Sequence, residues 1–256
     1  MTVSDYLLIL GLLCGVIAGM ILALKFAVVK PKITALLLDA DGTLLDFDRA
    51  EQTALEKAFS HFGYPFSART LEEYHRINLA CWKRLEKGEI TRARLKTLRF
   101  EELFSVLGTE GDAEKIWPVY EGFLSECGFV FDGAAEACKR LSKKYALYLV
   151  TNGTKTVQTK RLAASGITPC FKEIYISEDV GYAKPDPRFF DRVFADHPKL
   201  KRTQTMIVGD SLSGDIAGGI GAGIHTCWIN RTGETRPANL KIDLELDDIT
   251  KLEKEL

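Results

Sequence analysis

No two cysteines of this chain stand in a C-x-x-C pair. The six present, Cys14, Cys81, Cys127, Cys138, Cys170 and Cys227, are scattered. That pattern argues against a disulfide framework or a zinc site and suits reduced, mostly buried thiols. Histidine is scarce too: His61, His75, His197 and His225 lack ligand-like spacing and read as surface or internally satisfied residues. Net charge is nearly absent, since 34 basic and 35 acidic residues leave −1, so no general attraction to nucleic acid is expected. Internal repeats and low-complexity tracts are missing as well. What is present is an ordinary globular composition, 46% hydrophobic over 256 residues, with room for one domain plus an insertion.

Charge is missing altogether from residues 6–24, and Val29 extends their apolar character past a single Lys25. At ~1.5 Å per residue a helix of that length spans roughly 29–36 Å, enough for a hydrocarbon core. Met1–Asp5 carries no basic segment, so a secretory signal peptide is not expected. Lys25, Lys30 and Lys32 all follow the run, and the positive-inside rule then puts the rest of the chain in the cytoplasm. The expectation is a single-pass anchor over residues 1–30, crossing the membrane through 6–29; a misassigned start or a buried N-terminal helix are the rivals. Gly11, Gly15 and Gly19 share one face, a small-xxx-small pattern through which two such helices could form a homodimer. The same spacing also fits plain membrane-helix composition.

The most telling stretch is residues 36–45, Leu-Leu-Leu-Asp-Ala-Asp-Gly-Thr-Leu-Leu. Continuous apolar residues predict a buried parallel strand over 35–38. Asp39 and Asp41 then fall just past its carboxyl end, where open α/β sheets place ligands. Two acids there repel unless a cation lies between them or one holds a proton. That need points to a metal ion and acid–base chemistry.

Residues 50–62, 71–87, 92–107 and 113–127 show helical apolar spacing, with Thr91 suited to cap the third and Pro118 expected to bend the fourth. They predict an all-helical insertion over 48–128. Further on, strands over 145–150, 173–176, 205–208 and 226–229 alternate with helices over 154–165, 187–194 and 214–221. Alternation of this kind predicts a parallel sheet covered on both faces. The fold expected is therefore α/β, a Rossmann-like parallel sheet core (31–47 and 129–256) with an inserted helical cap, preceded by one N-terminal transmembrane helix. Residues 251–256 read as a solvated tail.

Three more groups follow predicted strand ends. Thr151-Asn152-Gly153 offers a hydroxyl, an amide and a helix start to an anion. Lys184, beside Pro185 and Pro187, is placed to neutralise a phosphate and a carboxylate. Asp210 follows Met206-Ile207-Val208-Gly209, and Asp215 opens the next helix, where a carboxylate also serves as a simple cap. D-x-D-G-T, T-N, K-P and G-D-S-x-x-x-D, in this order, are the signatures of the haloacid dehalogenase superfamily, which the chain resembles over about residues 35–230. The string from Asp39 to Phe47, Gly88-Glu-Ile-Thr91 with Arg99-Phe100, and Gly209 to Gly219 continuing to Asn230 are similar to its branch of pyrimidine 5'-nucleotidases active on non-canonical nucleotides. That branch often carries a third acid where Gly42 stands here, and it is normally soluble.

The resemblance implies Asp39 as nucleophile and Asp41 as general acid, then base. It implies Mg2+ held by Asp39, the Asp41 carbonyl and Asp210, with Asp215 orienting the ligands and Lys184. Thr151, Asn152 and Lys184 would grip the phosphoryl oxygens. The substrate implied is a small phosphate ester, most naturally a nucleoside 5'-monophosphate. A sugar-phosphate or acylneuraminate phosphatase and a phosphosugar mutase share most of these motifs, while dehalogenation needs neither the metal nor Asp41. A catalytically idle, tethered binding module is the reading from another class, and the intact acids and lysine speak against it.

Weaker features have plainer readings. The glycines at 218, 219, 221 and 223 end a helix instead of opening one, which argues against a dinucleotide fingerprint. Asn152 and Asn230 match the glycosylation pattern, but Asn152 belongs to the expected site. Tyr74 and Trp82 could stack on a base, though aromatics at helical spacing are more often core. Arg99 could reach a substrate phosphate or base, though a surface arginine is the plainer reading.

Overall fold

A computed structural model of the chain describes residues 32–256. Strand β1 (Ala35–Leu38) is followed by α1 (Phe47–Phe62), α2 (Ala68–Glu86), α3 (Arg92–Leu107) and α4 (Ala113–Glu126). Next come α5 (Ala134–Leu141), β2 (Ala146–Thr151), α6 (Lys155–Ser165), β3 (Glu173–Ile176) and the short α7 (Ser177–Val180). The chain continues through α8 (Pro187–Asp196), β4 (Thr205–Gly209), α9 (Ala217–Gly221), β5 (His225–Ile229), β6 (Leu244–Leu246) and α10 (Leu252–Glu255).

The six strands form one sheet in the order β3-β2-β1-β4-β5-β6, parallel at every pairing. β1 is buried on both faces, as a central strand of such a sheet must be. Leu36 and Leu38 face a core shared with Ala137, Leu141 and Leu162. Ala35 and Leu37 face the other way, toward Phe189, Phe190 and Val193. The period of two along the strand therefore splits one apolar run between two cores. Leu38, the last residue of β1, lies opposite Leu149 and Val208, two residues short of the end of β2 and one short of the end of β4, so the three carboxyl ends lie close together. The strand order also turns at β1, with β2 and β3 on one side and β4 to β6 on the other. Such a switch point leaves a crevice at the carboxyl ends.

Helices α1 to α4 carry a core of their own. Tyr74, Phe100 and Tyr120 meet there at ring separations of 5.3, 5.4 and 5.5 Å. The ends of these helices follow local rules. The Thr91 side chain accepts from Arg94 N, and Gly63 and Gly108 close α1 and α3 in the left-handed conformation. Pro118 sits inside α4 without ending it.

The N-terminal expectation needs correcting. Among the described residues no helix is long and apolar enough to cross a membrane, so over residues 32–256 the fold is α/β with a parallel sheet and includes no transmembrane helix. The single-pass membrane location falls with it. Residues 6–29 and the glycine face at 11, 15 and 19 lie outside the described residues. The C-terminus differs too: Leu252 is fully buried and Leu256 packs on the core, so this end is not a solvated tail.

Candidate active site

Four strand ends deliver the expected residues to one cavity of about 440 Å³, within the range of small-molecule sites. Asp39 follows β1, and Thr151 and Asn152 close and follow β2. Lys184 lies in the loop before α8, and Asp210 and Asp215 follow β4; all six line the cavity. Lys184 is the hinge of the arrangement. Its Nζ donates to Asp39 Oδ1 at 2.5 Å, Asp215 Oδ1 at 2.6 Å and Val150 O at 2.9 Å. All three ammonium protons are thus spent on fixed acceptors. Asn152 holds the lysine's backbone reciprocally: its Nδ2 donates to Lys184 O, and Lys184 N donates to its Oδ1, both at 2.8 Å.

Carboxylate oxygens of Asp39, Asp210 and Asp215 lie within 4.8 Å of one another. Thr43 Oγ1 donates to Asp210 Oδ1 at 3.3 Å, and Ser211 N donates to Asp215 Oδ2 at 3.1 Å. Two glycines make this crowding possible. A Cβ on Gly42 (φ +77°) would stand 2.3 Å from Asp210 Oδ2, and one on Gly209 2.2 Å from Asp215 Oδ2.

Burial pushes the Asp39 carboxyl well above the usual range against the pull of Lys184, with Asp215 and Asp210 adding repulsion. Asp210 is pushed up to about 7, by burial first and then by Asp215. Asp210 is an exposed residue that opens on the cavity. Burial alone would lower Lys184, but Asp215 and Asp39 outweigh it and hold the ammonium protonated. Asp39 and Asp210, both raised in this way, belong to a donor set short of positive charge. Three oxygen donors of this kind fit a hard divalent cation.

Asp41 lies apart from that triad. Its Oδ1 accepts from Arg161 Nη1 at 2.5 Å and its Oδ2 from Gln158 Nε2 at 2.7 Å. Neither partner stands out in the sequence, because a Gln and an Arg three apart on α6 look like one solvated face. Both are 1% exposed.

The opposite wall comes from α1 and α2. His75, Asn78, Leu79, Trp82 and Glu86 line the cavity, at the spacing of one helical face. Glu51 is buried beneath them, accepting from His75 Nδ1 at 2.9 Å and from Asn78 Nδ2 at 2.7 Å. The bond to Glu51 raises the His75 pKa against partial burial. Tyr74 is fully buried core, whereas Trp82 reaches the cavity. Arg99 is buried, not a surface residue; its Nη1 donates to Asn78 Oδ1 at 3.2 Å.

A parallel sheet whose switch-point crevice gathers three acids and a lysine, with four helices inserted after its first strand, defines a Rossmann-like α/β protein built for chemistry on an anionic ligand. The chain belongs to the haloacid dehalogenase-like hydrolases, whose family profile matches residues 33–223. It is similar to the HAD-hydrolase YfnB of Bacillus subtilis, 40% identical over 76% of this chain and 83% of that one. The crystal structure of YfnB bound to magnesium superposes with a TM-score of 0.84 at 36% identity, covering 88% of this chain and 99% of that one. Pyrimidine 5'-nucleotidase PynA of Streptococcus pneumoniae is 38% identical over 76% of this chain and 83% of its own. Pyrimidine 5'-nucleotidase YjjG of Escherichia coli is 30% identical over 84% and 94%.

Proposed function

We propose that this protein is a magnesium-dependent phosphatase of nucleoside 5'-monophosphates, working through a phosphorylated Asp39. The observation that carries the reading is Lys184 Nζ, buried and shared between Asp39 and Asp215 at the floor of a cavity. A fixed ammonium beside a nucleophilic carboxylate is what phosphoryl transfer needs, because catalysis there is mainly positioning and charge stabilisation. The names of PynA and YjjG support a pyrimidine nucleotide as substrate.

Asp39 and Asp210, with the carbonyl of Asp41, would hold the cation, and Asp215 would orient Lys184. When bound, the cation favours ionised Asp39 and neutralises charge on the phosphoryl oxygens. An Asp39 oxygen forms the bond to phosphorus as the bond to the nucleoside 5'-oxygen breaks, and Asp41 gives that oxygen its proton. Water then attacks the phosphorylated Asp39, Asp41 takes the water's proton, and phosphate leaves. The Thr151 hydroxyl would bind the oxygens that carry the spreading charge, and Lys184 would join it by turning one of its three protons from a carboxylate to a phosphoryl oxygen. The inserted helices, residues 48–128, would cover the site, exclude water and choose the leaving group.

The test is a panel of nucleoside monophosphates, sugar phosphates and p-nitrophenyl phosphate, assayed with and without magnesium. The expected result is a preference for pyrimidine monophosphates that disappears with chelator. Asp39→Asn should lower kcat by about 10³-fold or more. Equal rates on sugars and nucleotides would overturn the substrate class, and an unimpaired Asp39→Asn would overturn the mechanism.

A further inference from the structure

We propose that Arg161 and Gln158 are positioning residues that aim the Asp41 carboxyl at the leaving oxygen. Arg161 further ties that aim to the points where the chain enters and leaves the inserted helices. The inference rests on Asp41 being the group that protonates the leaving group.

Asp41 sits on a turn, and its carboxyl is free to rotate unless something holds it. Two donors hold it from one helix: Arg161 Nη1 on Oδ1 at 2.5 Å and Gln158 Nε2 on Oδ2 at 2.7 Å. Each donor is itself fixed. Gln158 Nε2 also donates to Thr151 Oγ1 at 2.8 Å, and Gln158 Oε1 accepts from Arg161 Nη1 at 3.0 Å. Proton transfer needs the acid within hydrogen-bond reach of the departing oxygen, and a misplacement of about 1 Å can cost roughly 100-fold.

Arg161 is a costly residue to keep here. It is 1% exposed, and among the described residues Asp41 is its one carboxylate partner. Its Nη2 is buried without a hydrogen-bond partner. Burying a guanidinium is costly unless it is paired, and an unpaired donor adds to that cost. A purely structural position would be better filled by an apolar side chain. Two of its other contacts lie at the crossings. Nε donates to Cys127 O at 3.1 Å, just past the end of α4, and the guanidinium lies 5.5 Å from the Phe47 ring, at the start of α1. One rigid fork therefore joins the acid to both chain segments that any movement of the inserted helices must bend. Lysine has the charge but not the fork.

The experiment measures kcat/KM for a series of esters with departing groups of rising basicity: p-nitrophenyl phosphate, phenyl phosphate and uridine 5'-monophosphate. A nitrophenolate leaves without a proton, and an alkoxide does not. Arg161→Lys and Gln158→Met should each lower kcat/KM on the nucleotide by roughly 30- to 100-fold, and on p-nitrophenyl phosphate by less than about threefold. The Asp41→Asn enzyme calibrates the series. If it discriminates between esters and the Arg161 and Gln158 variants do not, the positioning role is overturned while the acid role stands. If Asp41→Asn itself shows no discrimination, both fall. An equal loss on all three esters is the mark of a merely structural residue and also overturns the proposal. Should Arg161→Lys fail to fold, Gln158→Met decides alone, because methionine keeps the volume and removes the donor.

Discussion

At the scale of single residues the centre is a problem in charge, and Lys184 is its fixed solution. Its ammonium is the one cation touching Asp39 and Asp215 among the described residues. Removing one partner of a buried ion pair strands the others, typically at about 3–5 kcal/mol. Lys184→Met should lose stability in that range in urea unfolding at pH 7.5; a loss under about 1 kcal/mol would mean that the ammonium is not what holds this cluster together in the native state. Asp210 has no such partner and is pushed up to about 7. A folded-state pKa above the unfolded one gives stability that is full below about pH 4 and lost as pH rises through about 7. Asp39 shifts in the same direction. The metal-free protein should therefore lose stability between pH 5.5 and pH 8, and magnesium, competing with protons for the same oxygens, should restore it. The rise in Tm on adding magnesium is expected to be larger at pH 8 than at pH 5.5, and to vanish in Asp210→Asn. A rise of the same size at both pH values, or one that survives Asp210→Asn, would place the cation elsewhere.

At the scale of elements, α2 presents a chemical face and not only a packing one. His75, Asn78, Leu79, Trp82 and Glu86 all meet the cavity, while Tyr74, Ile77 and Cys81 face the core of the inserted helices. Base–aromatic stacking is worth about 1–3 kcal/mol, so Trp82→Ala should raise KM for pyrimidine monophosphates by roughly 5- to 100-fold and leave p-nitrophenyl phosphate nearly unchanged. Equal effects on both esters would remove Trp82 from base recognition. Tyr74 and Trp82 also illustrate what the sequence can and cannot tell. Both sit at helical spacing, and only the angle of α2 against the sheet decides which ring is core and which meets a ligand. The strand-end residues were legible because an apolar run that stops abruptly at Asp39 or Gly209 has one reading in a parallel sheet. Arg99, Gln158 and Arg161 were not, since a polar side chain is buried only by tertiary partners such as Asn78 and Asp41. Helix α5 has a periodic apolar face in Ala134, Ala137, Cys138 and Leu141, but it is only eight residues long and its N-cap, Gly133, has no side chain to mark its start. Strand β6 escaped notice because three partly exposed residues, Leu-Glu-Leu, carry too little pattern.

At the scale of the whole molecule, the inserted helices pack on the sheet part through α4 against α6, where Val157 joins their apolar core, and across the cavity the two parts also meet through polar contacts. Arg92 at the start of α3 donates to Asn152 O at 3.2 Å and to Ser177 Oγ at 2.9 Å. Ser213 Oγ donates to Glu86 Oε2, at the end of α2, at 3.0 Å. These bonds exist only while the two parts are together, so they bias any opening equilibrium without touching substrate. Each is worth about 0.5–1.5 kcal/mol net, and apparent affinity scales with the fraction of molecules in the competent state. Ser177→Ala with Ser213→Ala removes the sheet-side hydroxyls of both contacts and leaves Trp82, Glu86 and Arg92 in place. The double variant should raise KM by up to roughly a hundredfold, and by the same factor for a pyrimidine monophosphate and for p-nitrophenyl phosphate, because closure is shared by every ester. Base recognition predicts the opposite signature, a change confined to nucleotides. Measuring both esters in the double variant and in Trp82→Ala therefore separates closing the site from reading its ligand. A KM change in the double variant that appears with nucleotides alone would show that these hydroxyls do not govern closure.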